Sequence, residues 1–135
     1  MAYKIDEIEG IGEGYAAKLM DAGIRTTDDL LSKAGARKGR AELAEATGIS
    51  EKHILRWVNH ADLMRIKGIG AQYAELLEAA GVDTVKELRH RNAANLTAAM
   101  EAKNEEKKLA RTTPAESMVS RWIEAAKEME PAVSH

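Results

Sequence analysis

Ile8-Glu9-Gly10-Ile11-Gly12-Glu13-Gly14-Tyr15-Ala16-Ala17-Lys18-Leu19 returns as Ile66-Lys67-Gly68-Ile69-Gly70-Ala71-Gln72-Tyr73-Ala74-Glu75-Leu76-Leu77, 58 residues further on and without a gap. Self-similarity at a fixed offset is the mark of a repeated structural unit. The match continues from Ala22-Gly23-Ile24 onto Ala80-Gly81-Val82, and through Thr26, Asp29 and Leu30 onto Thr84, Glu87 and Leu88. It drifts, then resumes with Arg56-Trp57-Val58 on Arg121-Trp122-Ile123 at an offset of 65, which predicts a seven-residue insertion within 92–112. The expected organisation is a first repeat over 1–61 and a second over 62–135, packed as one rigid body.

Each copy reads as helices joined by short turns. Gly23 and Gly81 stand where a helix end wants a left-handed residue. Thr26-Thr27-Asp28-Asp29 and Thr84-Val85-Lys86-Glu87 both fit a reciprocal cap, hydroxyl to amide and carboxylate to amide. A short helix over Ala41–Ala46 ends at Gly48, and Ser50 can cap the next one. No Pro or Gly interrupts 50–67, so that helix should run into the first helix of the second copy. Pro114 is expected in the first turn of a last helix that carries Met118, Val119, Trp122, Ile123 and Ala126 on one face. Pro131 to His135 are expected to fray.

Composition agrees with an all-α chain. Its 135 residues are 44% hydrophobic, with no Phe, two Trp and three Tyr, so the core must come from Leu, Ile, Val, Met and Ala. Cysteine is absent, which excludes disulfides and thiolate metal sites. Neither a membrane span nor a signal peptide is visible, and a cytoplasmic location is the expectation.

Gly-Ile-Gly followed four residues later by Ala, then Leu, is the pattern of a helix-hairpin-helix motif. Two glycines are expected to let the chain turn sharply and bring the backbones close. Ile11 and Ile69 should point into the core, and Ala16 and Ala74 should let the second helix pack tightly. The turn leaves free amides at a helix start, where the dipole favours an anion. The first copy resembles the paired-hairpin domain at the N-terminus of archaeal and eukaryotic recombinases. Over nearly its full length, through EGIG, GRAELAEATGIS, ILRWVNHADLMRIKGIG, NEEKKL and RWIEAAKE, the chain resembles domain of unknown function 4332. The resemblance implies an all-α, SAM-like tandem of helix-hairpin-helix units with a pseudo-two-fold repeat.

From DNA-binding hairpins, the resemblance carries over Gly10, Gly12, Gly68 and Gly70 as a backbone cradle. The Lys or Arg that such hairpins place two residues later is Gly14 in one copy and Gln72 in the other. Lys18 fits a second basic position, whereas the second copy has Leu76 there. Turn carbonyls of such hairpins can hold a monovalent cation; no other cofactor is expected.

Charge narrows this further. The net charge is −2, unlike a dedicated nucleic-acid binder, and Glu9 and Glu13 flank the first turn. Arg65 and Lys67 precede the second, and further cations cluster at Arg37, Lys38, Arg40 and at Arg89, Arg91. The expected contact set for a DNA or RNA backbone is therefore Arg65, Lys67, Gly68, Ile69, Gly70 and Gln72 with those clusters, independent of sequence. A protein-interaction scaffold without nucleic acid is the alternative.

Other readings of the same residues are weaker. Leu43 to Ser50 with Ile54 and Trp57 also mimics a helix-turn-helix, but the tandem repeat explains it as a second hairpin. Trp57 and Trp122 read as core anchors, Tyr15 and Tyr73 as packing residues with a wet hydroxyl. The histidines lack a metal-ligand spacing, no nucleophile–base pair stands out, and no membrane contact or small-molecule substrate is implied, so an enzyme is not expected.

Overall fold

The computed structural model describes residues 2–135. It contains eight α-helices and, among the described residues, no strand. They are α1 (Glu13–Asp21), α2 (Thr27–Ala34), α3 (Arg37–Thr47), α4 (Glu51–Leu63), α5 (Ala71–Ala79), α6 (Val85–Leu88), α7 (Ala93–Lys107) and α8 (Glu116–Lys127). A short 3-10 turn at Ile5–Glu7 precedes them. None of these helices is long and apolar enough to cross a membrane.

The helix starts follow the repeat in the sequence. Residues 13 and 27 are matched by 71 and 85, at the same offset of 58. After that α3 and α7 begin at 37 and 93, and α4 and α8 at 51 and 116. The additional residues therefore lie in a longer α7 and in the loop between Lys107 and Glu116. α2 packs on α3 and α4, α7 on α8 and α5, and α6 on α8. Ile24, Leu30, Ile54 and Trp57 form the core of the first half, and Val82, Leu88, Leu96 and Trp122 that of the second, within one continuous apolar cluster.

Local chemistry ends the helices where the sequence says it should. Gly23 and Gly81 adopt φ of 86° and 96°. Beyond them the Ile24 amide donates to the Leu19 carbonyl and the Val82 amide to that of Leu77, the six-to-one bond of a Schellman end. Ser50 Oγ accepts from the His53 amide and starts α4. The reciprocal cap of α2 is complete, with Asp29 donating its amide to Thr26 Oγ1 and its carboxylate accepting from the Thr26 amide. At α6 only one arm forms, from the Glu87 amide to Thr84 Oγ1 at 3.4 Å. Upstream pairing differs there as well. In the first half the Thr27 amide reaches the Tyr3 carbonyl. In the second the residue 58 places beyond Tyr3 is Ala61, inside α4, and the Val85 amide turns to the Asp62 carboxylate at 2.9 Å.

Three expectations need correction. α4 stops at Leu63, but the chain does not loop out. The Arg65 and Ile66 amides donate back to Asp62 and Leu63, matching the bonds of the 3-10 turn at Ile5–Glu7. The opening turn of the second half is thus bonded back onto the end of α4. Pro114 stands one residue before Ala115, the N-cap of α8, and so outside the helix. The tail does not fray. The Ser134 amide donates to the Gly35 carbonyl, and Val133 and Met129 pack against the core.

Arg40 explains the tail. Its side chain is 4% exposed. Nη1 donates to the Ala34 and Gly35 carbonyls at the open end of α2, and Nη2 to the Ser134 carbonyl. A buried guanidinium is tolerable only when its donors are matched, and here carbonyls whose helix has ended supply the acceptors. Arg40→Ala should therefore lower stability by about 2–4 kcal/mol, since it removes the guanidinium donors from three carbonyls and loosens the tail. Removal of 131–135 should reproduce part of that loss. Urea denaturation measures both, and an unshifted midpoint in Arg40→Ala would show that the tail contact carries no weight.

Candidate binding groove at the second glycine turn

The two Gly-Ile-Gly turns share one geometry. Gly10 and Gly68 adopt φ of 93° and 97°, a conformation that costs glycine nothing. The bare side of each faces an indole. A Cβ on Gly10 would lie 3.6 Å from Trp57 Nε1, and one on Gly68 would lie 3.0 Å from Trp122 Nε1. Ile11 and Ile69 are buried, as are Ala16 and Ala74. Tyr15 packs edge-on to Trp57 at 5.0 Å between ring centres, and Tyr73 is tilted against Trp122 at 5.3 Å.

The second glycine of each turn differs from expectation. Gly12 and Gly70 have ordinary extended backbones at the N-caps of α1 and α5. Nothing lies within 4 Å of where their Cβ would stand. The turn needs one left-handed glycine; the other leaves an open patch of backbone at a helix start that no side chain caps. α3 and α8, which begin after alanine, also lack a side-chain cap.

Of the expected contact residues, Lys67, Gly68 and Gln72 are exposed and adjacent, Gly70 is half-buried and Ile69 is in the core. Gln72 Oε1 accepts from the Arg111 amide, which brings the loop after α7 alongside. Other cations are engaged elsewhere. Arg40 is buried under the tail. Arg65 pairs with the buried Asp62 carboxylate at 2.6 Å and donates to the Glu130 carbonyl. Arg89 donates to the Met129 carbonyl. Arg91 leans over Gly81. Arg37 and Lys38 are exposed at the start of α3, and Lys18 lies with Gly12, Gly14 and Tyr15 around a shallow depression on α1.

A groove runs from the second turn to α8. It has a volume of about 490 Å³ and is lined by Ile66, Lys67 and Gly68 on one side and by Met118, Arg121, Trp122 and Ala125 on the other. Arg121 and Met118 were not in the expected set. The signal for Arg121 was present, because the Arg-Trp pair that closes the repeat aligns it with Arg56. Among the described residues neither Lys67 nor Arg121 forms an ion pair.

The same place in the first half is closed. There α5 lies against α4. Arg56 Nε donates to Glu78 Oε1 at 3.1 Å and Oε2 at 3.2 Å, and its Nη2 lies 3.6 Å from Glu75. His60, 1% exposed, brings Nε2 to 3.2 Å from Glu78 Oε2, at an angle too poor for a directed hydrogen bond. Burial works to raise the Glu78 carboxyl, but His60 and Arg56 outweigh it and hold it down to about 2. Glu75 goes the other way, raised by burial and then by Glu9, against the pull of Arg56.

The family model described as Domain of unknown function (DUF4332) matches residues 9–129, and the chain belongs to that family. No curated protein and no solved structure matches it.

Two measurements probe this geometry. The Glu78 carboxyl titrates near 4.5 when unfolded and near 2 when folded. Its contribution to stability is therefore complete above 4.5 and is lost as pH falls toward 2. Glu78→Gln should lower the urea midpoint at about pH 7 and flatten its fall through that acid window. Glu75→Gln should leave stability at about pH 7 unchanged or raised, because the ionised form is disfavoured there. Equal acid profiles for wild type and Glu78→Gln would show that the pairing of Glu78 with Arg56 carries no stability. At the second turn, Gly68→Ala should cost about 1–3 kcal/mol, since a side chain must accept a left-handed backbone against Trp122. Gly70→Ser should keep or raise the melting temperature, because serine is a good N-cap and the space is open. A comparable loss in both variants would mean that Gly70 serves the fold after all.

Proposed function

We propose that this chain is a non-enzymatic binding module, a tandem of helix-hairpin-helix units over 1–61 and 62–135, that receives a protein partner in the groove beside its second hairpin. One observation carries the reading. Two equivalent grooves exist, and the first is filled by a helix of the chain itself whereas the second stands open. The open one has an apolar floor, Ile66, Met118, Trp122 and Ala125, with cations at its rim. A concave apolar surface with a few charges at its edge suits docking of a side-chain-rich surface.

A second reading, contact with a nucleic-acid backbone, is favoured by a different feature. The uncapped start of α5 and the bare Gly70 offer amides to a phosphate, beside Lys67. Against it, Arg40, Arg65 and Arg89, three of the cations expected at the backbone, are committed to internal acceptors.

A photo-reactive residue at position 118 in the native cell discriminates the two. Its counterpart 65 residues earlier is His53, exposed and stacked on Trp57 in the first half, and serves as control. Docking of a protein predicts an adduct from position 118, absent from position 53, that protease destroys and nuclease does not. A nuclease-sensitive adduct would shift the function to the second reading, and equal adducts from both positions would sink the groove as the contact surface.

A further inference from the structure

We infer that the occupant of the open groove is an amphipathic helix carrying a carboxylate at one position and a large apolar side chain three residues later. This rests on the reading of the groove as a protein-docking site. The filled groove shows what its shape accepts: one face of α5, with Glu75 and Glu78 three residues apart on Arg56. The open groove keeps that cation as Arg121 and that indole as Trp122.

Two replacements then change the required ligand. Where the filled groove has Glu9, which acts to raise the Glu75 carboxyl, the open groove has Lys67. A carboxylate in the place of Glu75 meets repulsion in the first groove and would lie near two cations in the second. Like charges disfavour ionisation and opposite charges favour it, so this position becomes a better acid site. Where the filled groove has His60, the partner of Glu78, the open groove has Ala125, beside Met118 in place of His53. A carboxylate in the place of Glu78 would lose one of its two partners and face an apolar wall. Burying it there is costly, whereas a leucine or methionine would fill the space that the shorter alanine leaves. Residues three apart share a helix face, so one helix can present both groups.

The two tryptophans supply the test, because their indole N–H signals report on one groove each. The probe is a lactam-stapled, alanine-rich helix of about 15 residues, long enough to stay helical, with Glu and, three residues later, Leu. It is titrated into the intact chain and followed by ¹H–¹⁵N spectra, with the two indole signals assigned through Trp122→Phe. The expected result is movement of the Trp122 signal while that of Trp57 stays in place. A Glu-to-Gln probe should bind roughly fivefold more weakly, as should a Leu-to-Glu probe, and Arg121→Glu should weaken the first probe by about tenfold. Glu and Gln probes of equal affinity on Trp122 would overturn the carboxylate requirement and leave the docking reading standing. Silence with every helix, together with movement of Trp122 by a short DNA duplex, would overturn both. Movement of Trp57 instead would show that the probe displaces α5, and would equally overturn the assignment.

Discussion

A tryptophan indole lies against the face of a glycine that must be left-handed, and the rest of the molecule is arranged around that contact. Trp57 presses on Gly10 and Trp122 on Gly68. The glycine brings the incoming chain close to the last helix of its own half, Ile11 or Ile69 drops into the core behind it, and α1 or α5 leaves at a set angle. A side chain at Gly68 would meet both penalties at once, backbone strain and collision with the indole. The tyrosine on the departing helix then packs on the same indole, which ties the turn, the helix after it and the closing helix into one unit.

Because both halves use this unit, their differences can be compared at matching positions. α4 ends at Leu63 and the opening turn of the second half bonds back onto it, and that short connection lays α5 against α4 beside Arg56. Once laid there, Arg56 finds two carboxylates. Among the described residues no helix follows α8. The chain after it turns back instead, past Arg89 and Arg65, to the open end of α2 where Arg40 receives it. The path that closes the fold at the tail is the same path that leaves the second groove without a covering helix.

How far the sequence disclosed this depends on the range of the interaction. Helix ends at Gly23, Gly48 and Gly81 and caps at Thr26 and Ser50 are local, and the pattern of a few residues is enough to read them. The failure at Thr84 is instructive, since its motif is intact. The reciprocal bond is absent where the upstream segment is helical and Asp62 supplies the neighbouring acceptor. Arg40 sits in a run of cations that looks like solvated surface. Its burial follows from the carbonyls at the end of α2 and from a residue 94 positions away, neither of which has a sequence pattern. Gly39 gave no signal either, although a Cβ there would collide with the Lys33 carbonyl where α3 crosses the end of α2. Arg121 was readable in principle. Its alignment with Arg56 was used to place the repeat, and its chemistry becomes visible only when the partner that neutralises Arg56 proves to have no counterpart.

A formal charge of −2 argues against a polyanion partner only if the charges act as a pool. In this fold they do not. Arg56 is balanced by Glu75 and Glu78, Arg65 by Asp62, and Arg40 and Arg89 by carbonyls, so these cations hold the chain to itself. Lys67 and Arg121 remain at one open groove without a carboxylate in its lining. The lysine stands where the first half has glutamate, and Ala125 where it has histidine. Two residue differences at matching positions thus accompany the change from a groove covered by α5 to one that stands open.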